Sequence, residues 1–460
     1  MLIHCQYAWL PTGISPDVVL EIRENRLTRI TRLQDRDDLA QTGADTPDSG
    51  VSHPHVTQDR HDLGGGGLVY RVGLTMAGFA NAHSHAFHRA LRGRTHADRG
   101  SFWTWREQMY RVAAALDPDS YYRLARGVYG EMALGGITSV GEFHYLHHGP
   151  DGTPYGDPNA MSHALIAAAQ DAGLRITLLD TLYLTASVDG KPLEGPQLRF
   201  GDGDALRWAD RVDALPDAPH VVVGAAIHSV RAVPLTQMAT VAAWAAGRPL
   251  HAHVSEQRAE NEACLAEHGR TPTEVLADFG AVHETFTAVH ATHLTHSDMA
   301  LLSDSYACFC PTTERDLGDG IGPARALADA GTRLTLGSDS HAVIDFFEES
   351  RALELHERLA TERRGHFTAA ELRAAATATG HTSLGWPDAG RIEVGARADL
   401  VTVALDSPRT AGIDPEGVLF AASAADVTHV LADGREIVRD GRHVAVDVAR
   451  ELQEAITCLF

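Results

Sequence analysis

The stretch LTMAGFANAHSHAFH, residues 74–88, carries an apolar strand that runs directly into two histidines, His83 and His85. Alternate residues of a strand point to the same face, so both imidazoles can reach one metal ion. An HxH pair alone is weak evidence, because two surface histidines produce the same pattern. Its weight depends on which residues lie at the ends of the other strands of the chain.

Seven further apolar segments come after it, with segments of helical periodicity between them. Several of these helical segments end at glycine, a common C-cap residue. The further strands are predicted in TSVGEFHY, RITLLDTLY, HVVVGAAIHS, RPLHAHVSE, FTAVHATH, ACFCPTT and RLTLGSDS. Eight strands alternating with helices over residues 74–386 predict an α/β fold, a parallel (β/α)8 or TIM barrel.

Both flanks of this barrel are predicted to be rich in β-strand. Residues 1–73 open with short alternating segments, and the polar stretch from about residue 35 to residue 67 predicts a long surface loop. Residues 387–460 contain strand-like segments, a hairpin turn at Asp433-Gly434 and a short terminal helix. We expect the two flanks to form one small β-sandwich together.

Composition narrows the class of protein. The chain is 44% hydrophobic and 22% charged, as in ordinary globular proteins, and it has no apolar run of the ~20 residues that span a bilayer. A net charge of −22 argues against a nucleic-acid partner. Five scattered cysteines suit a reducing compartment. We therefore expect a cytoplasmic protein with no membrane or nucleic-acid partner.

Ionisable residues are concentrated where the predicted strands end, and the active site of such a barrel lies at the carboxyl ends of its strands. After the first pair, these residues are Glu142, His144, Tyr145, His228, Arg231, His253, Glu256, His290 and Asp339. Imidazoles combined with a carboxylate suit zinc or iron(II) better than calcium, which prefers oxygen ligands. The pattern therefore predicts a transition-metal site.

The spacing suggests a role for each residue. In HVSE, His253 offers a ligand and Glu256 a carboxylate that can shuttle a proton, although a helix-start role for Glu256 is the alternative. Asp339 is expected to ligate the metal, and His290 to polarise the substrate or orient a water. The single lysine, Lys191, lies away from any strand end, so one metal ion is favoured over a lysine-bridged pair.

These residues, in this order, resemble the mononuclear deaminase branch of the amidohydrolase superfamily. More narrowly, the chain resembles the formimidoylglutamate deiminase family of histidine degradation over most of the barrel. The similar segments are NAHSHAFHRALRG, SFWTWREQMY, GEFHYLHH, HVSEQ, VHATHLT and CPTTERDLGDGI. One residue departs from the pattern, since the family usually has glutamine at the position of His88.

The resemblance implies hydrolysis of N-formimidoyl-L-glutamate to N-formyl-L-glutamate and ammonia, by a homodimer that binds a small dianionic substrate. One Zn²⁺ ion per chain, or Fe²⁺, is implied on His83, His85, His253 and Asp339. The implied catalytic residues are Glu256, His290 and Asp339, and the implied substrate-binding residues are His88, Arg106, Tyr145, His228 and Arg231.

Two alternatives stay open from the sequence. A sister deaminase acting on a cyclic amidine, such as a purine or pterin, would keep the metal ligands but would not need two arginines facing the pocket. A non-catalytic metal-binding barrel would be expected to lack a ligand or the proton shuttle, and this sequence lacks neither.

Overall fold

The computed structural model describes residues 1–33, 68–96, 100 and 102–460. The surface loop predicted between about residues 35 and 67 lies outside the described residues. The strands are β1 (Leu2–Leu10), β2 (Gly13–Arg23), β3 (Arg26–Arg32), β4 (Leu68–Ala77), β5 (Phe79–Ser84), β6 (Ile137–His144), β7 (Arg175–Leu182), β8 (Val221–Ile227), β9 (Leu250–Val254), β10 (Phe286–His290), β11 (Tyr306–Phe309), β12 (Arg333–Leu336), β13 (Leu400–Val403), β14 (Val427–Ala432), β15 (Arg435–Arg439) and β16 (Arg442–His443).

Helices alternate with the strands from β5 onward. They are α1 (Phe102–Ala115), α2 (Pro118–Leu134), α3 (Ala160–Ala172), α4 (Ala205–Val212), α5 (Leu235–Trp244), α6 (Arg258–His268), α7 (Pro272–Asp278), α8 (His296–Leu301), α9 (Pro311–Leu317), α10 (Ala324–Asp329), α11 (Phe346–Thr361), α12 (Ala369–Ala374), α13 (Gly380–Ser383), α14 (Val418–Ala421) and α15 (Val448–Thr457). Among the described helices, none has the length and apolar character needed to cross a bilayer.

The predicted parallel barrel is confirmed, and strands β5 to β12 follow one another in space as they do in sequence. The barrel closes between its first and last strands through the backbone of His83, Ser338 and Asp339. The carbonyl of His83 accepts hydrogen bonds from the amides of Ser338 and Asp339 at 3.1 and 3.0 Å. The closing seam therefore runs through two of the predicted metal ligands.

The second sheet joins the two ends of the chain, as the sequence predicted. Its strand order is β16-β15-β14-β13-β4-β1-β2-β3. Strand β4 pairs in parallel with β1 and antiparallel with β13, with Thr75 opposite Thr402. Buried residues from the two halves of the sheet, such as Leu20 and Leu400, belong to one apolar cluster. The predicted hairpin turn joins β14 and β15, and both Asp433 and Gly434 have positive φ.

One predicted strand is in fact two. The segment at residues 74–82 was expected to be the first barrel strand, but Leu74–Ala77 ends β4 of the terminal sheet and the barrel begins with β5. The boundary expected at residue 73 thus lies inside β4. Both parts are apolar and buried, so the sequence pattern does not change between them. Gly78 marks the division, and a Cβ there would lie 2.5 Å from the Thr138 side chain.

A buried ion pair fastens the barrel to the terminal sheet. Arg175 at the start of β7 makes a bidentate contact with Asp399, which directly precedes β13. A second carboxylate, that of Asp433, lies 3.1 Å from the same guanidinium. The side chains of Arg175 and Asp399 are 1% and 0% exposed, so this pair is removed from solvent screening.

Candidate active site

Four donor atoms from three places in the barrel converge at the carboxyl ends of its strands. Nε2 of His83 lies 3.2 Å from Nε2 of His253 and 3.4 Å from Oδ1 of Asp339. Nε2 of His85 lies 3.3 Å from the same Asp339 oxygen. His83 lies in β5, with His85 directly after that strand, while β9 carries His253 and the turn after β12 carries Asp339.

Backbone carbonyls orient two of these imidazoles. Nδ1 of His85 lies 2.9 Å from the Phe143 carbonyl, and Nδ1 of His253 lies 3.0 Å from the His228 carbonyl. Such contacts keep the proton on Nδ1 and leave the Nε2 lone pair for a metal. Burial and the neighbouring His83 lower the pKa of His85 to about 3. Burial also lowers the pKa of His83 and His253, so all three are neutral at pH 7.

This donor set fits a zinc ion. Ligands about 2.0–2.2 Å from a tetrahedral centre lie about 3.3–3.6 Å from one another, close to the separations of 3.2, 3.3 and 3.4 Å found here. Two imidazole nitrogens facing each other at 3.2 Å, each able to present a lone pair, also favour a shared cation between them. Three neutral imidazoles and one carboxylate are ligands typical of zinc.

Backbone strain is concentrated at the same strand ends. Ser255, His290 and Asp339 have φ of 54°, 67° and 40°, in the left-handed region that favours glycine. A non-glycine residue in a sparsely populated region costs about 1–3 kcal/mol, and such strain clusters at functional sites. The turns after β9, β10 and β12 are therefore held in conformations that serve side-chain placement.

Beside the donor set lies a group of carboxylates around one histidine. Nε2 of His290 is 3.9 Å from Glu256 and 3.8 Å from Asp339, and its Nδ1 is 3.5 Å from Glu314. Burial opposes charge on His290, but the carboxylates Glu256, Glu314 and Asp339 raise its pKa well above the usual value. Burial also raises the pKa of Glu256, which suits a group that must take up and release a proton.

The predicted substrate-binding residues line the pocket above the donor atoms, together with Glu256 and His290. Nε2 of His88 lies 2.9 Å from the Tyr145 hydroxyl. Arg106 donates from Nε to the Tyr110 hydroxyl at 2.6 Å, and Arg231 donates to the Tyr183 hydroxyl at 3.0 Å. The His228 ring packs against Tyr183, with ring centroids 4.4 Å apart.

Two of the strand-end residues singled out from the sequence, Glu142 and His144, do not line this pocket. The Glu142 carboxylate accepts hydrogen bonds from the Ser84 hydroxyl at 2.7 Å and the Ala86 amide at 2.6 Å, and thus supports the HxH turn. His144 packs against the His147 ring. The lone lysine, Lys191, has an exposed ammonium 3.4 Å from Asp189.

Sequence reasoning missed Glu314, Tyr110, Tyr183 and Gln197. Tyr183 comes directly after β7, and no site residue was predicted at the end of that strand. Because active-site residues lie at the carboxyl ends of barrel strands, its position could have identified it. Glu314 stands in the helix after β11, in the segment CPTTER. Tyr110 and Gln197 lie on helical segments, and no local pattern distinguishes them.

The match to known proteins agrees with this geometry, since residues 74–437 match the Amidohydrolase family. The chain belongs to that family. It is 39% identical to formimidoylglutamate deiminase of Pseudomonas aeruginosa, over 84% of this chain and 90% of that one. It is 29% identical to a 5-methylthioadenosine/S-adenosylhomocysteine deaminase of Halobacterium salinarum, over 83% and 85% of the two chains.

Solved structures share the whole fold. An amidohydrolase from Brucella melitensis superposes with a TM-score of 0.85 and 31% identity, covering 100% of this chain and 99% of that one. An adenosine deaminase from Xanthomonas campestris with bound zinc gives a TM-score of 0.81 at 23% identity, covering 99% and 97% of the two chains. The second similarity supports the fold alone.

Proposed function

We propose that the protein hydrolyses N-formimidoyl-L-glutamate to N-formyl-L-glutamate and ammonia. The observation that carries this proposal is the pocket itself, because it is lined both by three of the candidate metal ligands and by two arginines, Arg106 and Arg231. Identity of 39% to a formimidoylglutamate deiminase supports the same reaction. A dianionic substrate suits this pocket, because guanidinium groups pair with carboxylates through directed hydrogen bonds.

One Zn²⁺ ion per chain is part of the proposal, held by His83, His85, His253 and Asp339. When bound, the ion would supply Lewis-acid activation, which lowers the pKa of water toward about 7. Iron(II) is the alternative ion for the same ligands.

Glu256 is proposed to move the proton. Its carboxylate takes a proton from the attacking water and delivers it to the imine nitrogen as the C–O bond forms. The hydroxyl of the adduct then gives up the second proton of that water to the same nitrogen, and cleavage of the C–N bond leaves the formamide and ammonia. Burial raises the pKa of Glu256, which strengthens it as the base that takes up the proton. His290 faces Glu256 and Asp339, where its Nε2 can hold the water or the substrate nitrogen in line.

The opposite end of the pocket is proposed to bind the two carboxylates. Arg231 is assigned to one carboxylate, and Arg106 with Tyr145 to the other. His228, which lines the same pocket, is also assigned to substrate binding. His88 already contacts Tyr145, so we expect it to orient that hydroxyl rather than to bind the substrate alone.

An ammonia-release assay tests the proposal directly. The purified, metal-analysed protein should release ammonia from N-formimidoyl-L-glutamate with a kcat/KM far above that for N-formimidoyl-glycine, guanine or adenosine. A higher value for an uncharged ring would favour the cyclic-amidine deaminase instead. Absence of turnover on every amidine, with metal bound, would favour a non-catalytic barrel.

A further inference from the structure

Gln197 contacts two of the tyrosines that line the pocket, Tyr110 and Tyr183. It belongs to a 3₁₀ segment, Gly195–Phe200, in the connection between β7 and α4. Its side-chain amide donates to the Tyr110 hydroxyl at 3.0 Å and to the Tyr183 hydroxyl at 3.3 Å. Only 7% of Gln197 is exposed, so these two contacts are largely protected from competing water.

Each of these tyrosines also accepts a hydrogen bond from an arginine. Arg106 donates to the Tyr110 hydroxyl at 2.6 Å, and Arg231 donates to the Tyr183 hydroxyl at 3.0 Å. Gln197 is therefore the centre of a continuous bridge that runs from Arg106 to Arg231 through two phenol oxygens. No other residue is needed to connect the two guanidinium groups.

In each hydrogen bond of the bridge, the phenol oxygen is the acceptor. A phenol oxygen has two lone pairs, and at Tyr110 and Tyr183 each hydroxyl accepts from one arginine and from Gln197. With both acceptor positions used, each hydroxyl proton is left to donate. Both tyrosines line the pocket, so their protons can be donated to carboxylates held beside the arginines.

Aromatic rings pack around the bridge. The Phe200 ring, three residues after Gln197, has its centroid 5.3 Å from that of Tyr183 and 6.2 Å from that of Tyr110. Two-torsion aromatic side chains in such contacts lose little further entropy when a ligand binds. This packing restricts the two tyrosines that connect the cationic ends before a substrate arrives.

We propose that Gln197 is a positioning residue that selects substrates by the spacing of their two carboxylates. It does so by fixing the distance between the Arg106–Tyr110 and Arg231–Tyr183 pairs. The inference rests on the proposed function in that it takes the substrate to be a dicarboxylate. Because the proposed substrate is a glutamate derivative, the class expected to be selected has three carbons between the two carboxylates, over homologues one methylene shorter or longer.

Binding measurements test this inference apart from turnover. Calorimetry on the metal-loaded protein would compare N-formyl-L-aspartate, N-formyl-L-glutamate and N-formyl-L-2-aminoadipate. The wild-type protein should bind the glutamate derivative at least about tenfold more tightly than either homologue, a difference of about 1.4 kcal/mol. Gln197→Leu keeps the side-chain volume but cannot donate, and should reduce this preference to less than about threefold. Tyr183→Phe breaks the bridge at a second point and should reduce the preference similarly.

Gln170→Leu is the matched control, since Gln170 is exposed near the end of α3. It should keep the wild-type preference. Equal weakening of all three ligands in Gln197→Leu would indicate a merely structural role and overturn the inference, as would an unchanged preference. Length-selective binding without ammonia release would refute the proposed function and leave the inference standing. Ammonia release without length selectivity in the wild type would refute the inference alone.

Discussion

At the scale of single residues, Glu256 is the group whose role is most sharply testable. Glu256→Gln keeps the size of the side chain and removes its ability to accept a proton. We expect kcat to fall by roughly 10²–10⁴, with metal content unchanged, because general acid–base catalysis is typically worth that factor. Steady-state kinetics with elemental analysis measures both. Glu267→Gln, at an exposed position of α6, is the control and should leave kcat unchanged.

A near-normal kcat in Glu256→Gln would contradict the proton-transfer role and indicate that Glu256 only stabilises the start of α6. Loss of the metal would instead make it a ligand or a support of one. The alternative is structural because a carboxylate near a helix N-terminus is stabilised by the helix dipole.

A substitution at Arg231 distinguishes a dianionic from an uncharged substrate. Burial opposes charge on Arg231, but Tyr183 and Glu260 hold its pKa above the usual value, so it is a permanent cation in the pocket wall. Arg231→Met should lower kcat/KM for N-formimidoyl-L-glutamate at least about tenfold, because an unpaired carboxylate at such a site costs about 2–5 kcal/mol. Arg207→Met is the control, since the Arg207 side chain is 75% exposed. An unchanged kcat/KM in Arg231→Met would contradict the assignment of a dianionic substrate.

At the scale of elements, the joint between β7 and the terminal sheet should carry much of the stability. Asp399→Asn leaves the Arg175 guanidinium buried with only Asp433 as an anionic partner. Breaking a buried pair typically costs about 3–5 kcal/mol, so we expect a loss of about 3 kcal/mol in the free energy of unfolding. Urea denaturation followed by circular dichroism measures it.

Asp388→Asn provides the comparison for this element. Asp388 pairs with Arg26 and Arg397, but its side chain is 34% exposed. Partly exposed pairs contribute about 0–1 kcal/mol, so this variant should unfold nearly as the wild type does. Equal losses in the two variants would mean that burial does not decide the strength of the Arg175 contact.

The elements also show where sequence reasoning succeeds. Each barrel strand was predictable because its apolar run and the helix after it are local patterns. The division between β4 and β5 was not, since the end of β4 (Leu74–Ala77) and the whole of β5 are both buried, and only their partners in space differ. The candidate site shows the same limit, because local patterns do not reveal contacts between residues far apart in the chain. His83, His253 and Asp339 lie at strand ends and were predicted, whereas the hydrogen bonds of Gln197 join residues 87 and 14 positions away in the chain.

At the scale of the whole molecule, the net charge acts against the binding of an anionic substrate. The net charge of −22 disfavours a dianion at long range, so its binding depends on contacts within the pocket. Short-range guanidinium contacts are screened less than this surface field. The homodimer implied by the family resemblance stays a prediction, and sedimentation velocity tests it.

The metal should stabilise the entire fold as well as serve the reaction. Its proposed ligands come from β5, β9 and the turn after β12, and the backbone of two of them closes the barrel seam. An ion that binds only the folded state adds about 2.7 kcal/mol when its free concentration is a hundredfold above Kd. We therefore expect about one zinc ion per chain by elemental analysis, and a lower Tm after chelation that zinc restores. In Asp339→Ala, turnover should be abolished and Tm should respond little to either treatment. Two ions per chain, or full activity without metal, would contradict the mononuclear site, because the four converging donors provide for a single tetrahedral ion.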